Sequence, residues 1–171
     1  LLEQANPLKS PNPSKAPWYF LGAQELLLHV HPFFSAVIIP IAVACHLFYL
    51  PFYKYKKLNV GVWFHSPLGK KITIQSSLIA FAFTFILIYL LDHFLHFDLW
   101  LHSWPSWIST GLLPILLYVL PLAAYLLFWH RKHQADRTEL IMACTSIILS
   151  SYICMMLISL LLRAEGMLLI F

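Results

Sequence analysis

The sequence is short of charge. Lys, Arg, Asp and Glu make up 11% of its 171 residues, against roughly 25% in a soluble domain. That scarcity excludes a water-soluble enzyme, a disordered tail and a nucleic-acid binder. Glycine numbers only five, and no Gly-rich phosphate loop is formed. Three cysteines, Cys45, Cys144 and Cys154, lie inside apolar runs without the spacing of a disulfide framework or a zinc site. No Cys-x-x-Cys-His is present for covalent haem attachment, and no Ser/Cys–His triad signature appears. No metal site is expected. Internal repeats and low-complexity tracts are absent as well. An ion-coupled carrier or proton pump keeps an ionisable residue at mid-membrane, and none stands in the middle of the long apolar runs here. The chain opens on Leu1 without a basic leader or a small-residue cleavage site, and so reads as an incomplete translation product with no visible signal peptide.

What is present is apolar. Sixty per cent of residues are hydrophobic and the mean hydropathy is +0.76. Four runs, at 33–50, 72–91, 112–129 and 140–162, approach or exceed the ~20 apolar residues that cross a bilayer as a helix. Pro40 interrupts the first run and Pro114 and Pro121 the third, so both helices are expected to be kinked or packed against neighbours. Residues 1–15 read as an extended coil, and residues 18–30 as a short helix lying in the membrane interface. Eight of the eleven basic residues (Lys54, Lys56, Lys57, Lys70, Lys71, Arg131, Lys132 and Arg137) fall in the loops after the first and third runs. The positive-inside rule then places both termini, and the loop bearing Trp100, Trp104 and Trp107, on the outer side. The expected architecture is an all-α integral membrane protein. Residues 1–32 form an outer-side loop and interfacial helix, and residues 33–171 a domain of four transmembrane helices.

Two small-residue stripes predict close helix packing: Ser76, Ala80 and Thr84 on the second span, and Ser146, Ser150 and Cys154 on the fourth. Nine histidines invite a haem reading, and His46 and His130 are the pair able to approach each other near the inner surface. The plainer reading of all nine is interfacial or capping. Trp18, Tyr19 and Phe20 enter the outer interface together after Pro11, Pro13 and Pro17. They read either as an aromatic anchor or as one wall of a quinone pocket, which needs an apolar surface with a few polar groups.

The stretch Asn6-Pro7-Leu8 followed by Ala16-Pro17-Trp18-Tyr19-Phe20 resembles the C-terminal half of cytochrome b and subunit IV of bf complexes. In that family an Asn-Pro-Leu element precedes a Pro-Glu-Trp-Tyr motif that lines the quinol-oxidation site. The form KAPWYFLG-x-QEL is similar to bacterial, menaquinol-type variants. The resemblance is strong from 6 to 91 and weak beyond. It implies an electron-transport subunit of a quinol–cytochrome c oxidoreductase, with Pro17, Trp18, Tyr19 and Phe20 at the quinol. It implies too that no haem is held here. The b haems would sit in a cytochrome b N-terminal-half partner and the iron–sulfur cluster in a Rieske protein. A cytochrome c subunit, surrounding lipid and a dimeric complex in an energy-transducing membrane complete the expectation.

The family's proton-accepting glutamate falls on Pro17 in this sequence. Glu25 is the nearest carboxylate after the motif and the candidate substitute, with His29 and His31 as weaker ones suited to titrate near neutrality. The missing acid also keeps open an alternative: a structural anchor in another respiratory or nitrogen-cycle complex, without an active quinol site.

Overall fold

A computed structural model describes residues 15–52, 64, 66–95, 97–164 and 167–169, with Asp98 described by its backbone alone. The Asn6-Pro7-Leu8 element, His96 and the basic residues Lys54, Lys56 and Lys57 lie outside the described residues. The structure is 84% helical and has no strands among the described residues. Helix α1 (Leu21–His29) follows a 3-10 turn at Trp18–Phe20; then come α2 (Ile39–Tyr49), α3 (Pro67–His93), the short α4 (Phe97–Trp100), α5 (Leu113–His133) and α6 (Arg137–Leu161).

All four expected spans are present, as continuous helical stretches at Phe34–Phe52, Pro67–His93, Trp107–His133 and Arg137–Leu161. Three run past the apolar stretch because polar residues cap them. The Ser66 hydroxyl accepts the Gly69 N–H at 2.8 Å, and Pro67 occupies the first helical position, where its missing N–H costs nothing. Asp136 and Glu139 form a reciprocal capping box at the start of α6. At the end of α5, Gln134 adopts φ 51°, the left-handed conformation that ends many helices.

The expected proline distortions take a specific form. A five-residue π-helical segment, Phe34–Ile38, leads into the turn that carries Pro40, and a second, Trp107–Leu112, leads into Pro114. A proline cannot donate to the carbonyl four residues back, and the wider turn absorbs the mismatch. Pro121 lies within α5.

The centre of the bundle is the α3–α6 contact, and the two small-residue stripes build it. Ser146 Oγ donates to the Thr73 carbonyl at 3.3 Å, Ser150 Oγ to Ser77 at 2.6 Å, and Cys154 Sγ to Phe81 at 3.3 Å. Donor and acceptor advance together, four residues at a time, so the two helices run parallel. Ser76, Ala80 and Cys154 are fully buried there. Hydroxyls bonded across helices replace the apolar drive that lipid does not supply. Tyr118 joins α5 to this seam through Ser151, with Thr84 Oγ1 3.3 Å from its hydroxyl.

Five of the seven described basic residues, Lys70, Lys71, Arg131, Lys132 and Arg137, gather at one end of the bundle. Ser66 and Glu139 hydrogen-bond there, between the starts of α3 and α6, and Lys71 lies 5.9 Å from the Trp129 ring of α5. Helix α1 belongs to the opposite end. A short helix does follow the aromatic motif, at Leu21–His29, and it packs along α6: a Cβ on Gly22 would stand 2.8 Å from the Tyr152 ring. Helix α2 has no buried residue, and Ile41, Leu47, Phe48 and Tyr49 are exposed on it. Such a surface suits lipid or another chain.

Candidate functional site

The motif singled out in the sequence forms an exposed aromatic step at the end away from the basic residues. Pro17 holds an extended backbone (φ −53°, ψ 149°), and its carbonyl accepts the Phe20 N–H at 2.8 Å, closing the turn. Trp18, Tyr19 and Phe20 are 69%, 54% and 57% exposed, with ring centroids 5.7 Å and 5.2 Å apart. The backbone beneath them is pinned. The Tyr152 hydroxyl donates to the Tyr19 carbonyl at 2.8 Å, and Ala16 N–H to Gln24 Oε1 at 2.7 Å. Large exposed rings on a fixed backbone suit lipid or another chain.

Glu25 lies on the inward face of α1 and is fully buried. It does not meet water, as an interfacial glutamate would. Arg163, from the segment after α6, donates its Nε to both carboxylate oxygens at 3.1 Å and its Nη2 to Oε1. The same Nη2 lies 2.8 Å from Asp92 Oδ2, at the end of α3. His29, one turn along from Glu25, places Nε2 3.2 Å from Glu25 Oε1 and 3.0 Å from Arg163 Nη2, with Nδ1 3.9 Å from Asp92 Oδ1. Arg163 is held from behind by the chain that follows it: Nη1 donates to the Met167 carbonyl at 3.0 Å, in a turn where Met167 takes φ 60°.

Burial alone would push the Glu25 carboxyl up. The hydrogen bonds from His29 and Arg163, with the charge on Arg163, outweigh it and hold the group below the usual carboxylate range. For Arg163, burial works against the charge, but the Glu25 hydrogen bond and charge, helped by Asp92, restore it and more. Donor atoms of Glu25, His29 and Asp92 lie within 4.8 Å of one another, close enough to surround a cation. The guanidinium already stands as that cation, so the group is an ion-pair cluster.

A half-open cavity of about 290 Å³ adjoins the cluster, lined by His29, His31, Leu91, Leu95, Thr110 and Pro114 among others. Its geometry begins with a proline. Pro114 leaves the Thr110 carbonyl without its α-helical partner, and the His31 N–H takes it at 2.9 Å. The His31 ring accepts the Phe33 N–H on Nδ1 at 3.3 Å, so a neutral ring carries its proton on Nε2.

At the basic end, His46 and His130 do approach: both line an open, apolar cleft of about 380 Å³ with Leu126 and Cys144. Each spends one ring nitrogen on the protein, His46 Nε2 on Thr145 Oγ1 at 2.9 Å and His130 Nδ1 on the Ala135 carbonyl at 3.1 Å. His93 is exposed, its Nδ1 3.1 Å from the Tyr89 carbonyl.

Among the sequence candidates, the structure unites Glu25 and His29 and sets Trp18, Tyr19 and Phe20 apart on the surface. It adds Asp92 and Arg163, which sequence reasoning passed over as a span end and a tail charge. The signal was available. Both fall at the same end of the bundle as Glu25 by span alternation, and a lone arginine beside a membrane span needs a partner.

The pattern that defines the cytochrome b (C-terminal)/b6/petD family matches residues 4–100, more than half of the chain. Searches of curated proteins and of solved structures found no match.

Proposed function

The chain belongs to the cytochrome b (C-terminal)/b6/petD family, and on that premise we propose that it forms one wall of a quinol-oxidation site in a membrane complex of the bc/b6f type. The observation that carries this reading is the aromatic step: Trp18, Tyr19 and Phe20 stand exposed on a pinned backbone. A flat apolar surface with few polar groups is what a quinone ring packs against. The step lies on the outer side under the charge count, where protons from quinol are released.

The rest of the site belongs to partner chains in this reading. A cytochrome b N-terminal-half subunit holds the b haems, a Rieske protein holds the iron–sulfur cluster, and a cytochrome c subunit receives the electrons. The quinol is the substrate; these groups take its electrons one at a time. Within this chain, Pro17 and the rings orient the substrate, and the buried cluster at Glu25 and His29 supplies the proton-handling that Pro17 cannot. Menaquinol is the quinol this motif form favours.

The test is Tyr19→Ala in the purified complex. Turnover of quinol is expected to fall about 100-fold, the cost of a misplaced reactant, with the partner chains still co-purifying. A second reading has one observation behind it, Pro17 in the place of the family's glutamate. It makes the chain a structural anchor, and it predicts unchanged turnover in Tyr19→Ala.

A further inference from the structure

We propose that Tyr152, on the fourth span, is a positioning residue for the aromatic step: its hydroxyl and its ring together fix how Trp18, Tyr19 and Phe20 are presented to the quinol. The proposal rests on the quinol-site reading and adds to it a residue outside the motif, beyond the stretch that the family pattern matches.

Two contacts carry it. The Tyr152 hydroxyl donates to the Tyr19 carbonyl at 2.8 Å. That carbonyl belongs to the planar peptide that joins Tyr19 to Phe20. Holding it sets the direction in which both side chains leave the chain. The ring of Tyr152 makes the second contact. It lies against Gly22, where a Cβ would stand 2.8, 3.0 and 3.1 Å from three of its carbons. A side chain at 22 would displace the ring, and the hydroxyl with it. Glycine is a poor helix former, yet it is the second residue of α1; the missing Cβ serves the ring.

The rings of the step cannot fix themselves. They touch one another, but more than half of each is exposed, so their place is set through the backbone beneath. The Pro17–Phe20 and Ala16–Gln24 bonds shape the turn from within. Tyr152 ties it to the bundle. The rest of α1 is held from the same side. Glu25, three residues after Gly22, shares its helix face and is bound by Arg163. Eleven residues, about three turns, separate Tyr152 from Arg163, so the two reach α1 from one side of the fourth span. Arg163 holds α1 towards its end, and Tyr152 holds its start.

A surface that binds a reactant without holding it in register loses rate more than affinity. The test uses the purified complex and a short-chain naphthoquinol, with turnover counted per copy of this chain retained with its partners. Tyr152→Phe keeps the ring and removes the hydroxyl. It is expected to lower kcat about 10-fold and to leave KM within about twofold, because the apolar surface remains while its orientation is lost. Gly22→Ala displaces the ring and should give the same signature. The double variant should be no worse than either single one, since both act through one bond. Ser150→Ala removes a hydroxyl from the same helix away from the step and should change neither constant. An equal loss of kcat in Ser150→Ala, or additive losses in the double variant, overturns the proposal. A Tyr152 that serves the fold alone lowers the yield of complex and leaves kcat and KM of each assembled copy at the wild-type values; that result, or a Tyr152→Phe chain that fails to assemble, overturns it too. Tyr19→Ala separates the proposal from the reading beneath it. If Tyr19→Ala lowers turnover and Tyr152→Phe does not, the role of Tyr152 falls and the quinol site stands. If Tyr19→Ala leaves turnover unchanged, both fall.

Discussion

Ser150 donates its hydroxyl to the carbonyl of Ser77 at 2.6 Å, the shortest of three rungs that tie α6 to α3 in parallel. Interhelical hydrogen bonds in membranes average only ~0.6 kcal/mol. Ser150→Ala should therefore cost about that much, whereas Ser150→Leu should force the helices apart and cost several-fold more. Denaturant titration of the detergent-solubilised protein checks the contrast. Equal losses in the two variants would mean that the hydroxyl, not the small size, carries the contact.

Arg163 and Glu25 are 138 positions apart and both buried. Arg163→Met leaves a buried carboxylate unpaired and should destabilise by about 3–5 kcal/mol. Glu25→Leu alone leaves the guanidinium with Asp92 as its remaining carboxylate and should cost less. The double variant should recover most of the loss, because an apolar pair of similar volume replaces the ion pair. Thermal unfolding of the four proteins completes the cycle; additive losses would show that the two residues act separately.

The Glu25 carboxyl lies below its ordinary value of 4.5. A group depressed on folding contributes stability that is fully present above the unfolded value. That stability is lost as the pH falls through the folded value. The segment after α6 should therefore stay docked at neutral pH and loosen only below about pH 4.5. Amide exchange at Ala164 and Met167, whose N–H groups are bonded within that turn, reads the loosening directly. Release above pH 6 would contradict the assignment.

Gly111 leaves room for a ring. A Cβ there would stand 2.7 Å from Phe34 and 3.2 Å from His31 Cβ. Gly111→Ala should push Phe34 aside, costing about 1–3 kcal/mol as overpacking does. The same substitution at Gly69, whose nearest neighbours are flexible side-chain atoms of Glu139 and Ser66, should cost less. Comparing the two midpoints tests whether the contact between the two π-helical segments is as close as the structure has it.

Much of this architecture was legible in the residues. Spans announce themselves through hydropathy, and the stripes at Ser76 and Ser150 through small residues four apart. Glu25 stood out as the first acid after the aromatic motif. Its surroundings did not. Arg163 and Asp92 reach it from distant parts of the chain, and no local pattern encodes such pairing. The π-helical segments were half legible: Pro40 and Pro114 promised a distortion, but propensity does not say whether the chain will kink or widen its turn. The packing of α1 along α6 depends on Gly22 fitting the Tyr152 ring, a match between two faces that sequence spacing leaves open.

The bond between the His31 N–H and the Thr110 carbonyl is made by main chain alone. Both partners are main chain, so the side chains at 31 and 110 can vary without breaking it. The residue that guards it is Pro114, which takes no part in the bond. Restoring an N–H at 114 would offer the Thr110 carbonyl a donor in its own helix, and the tie between α5 and the start of the first span would face a competitor. The joint thus depends less on the side chains that flank the bond than on the residue that withholds a donor.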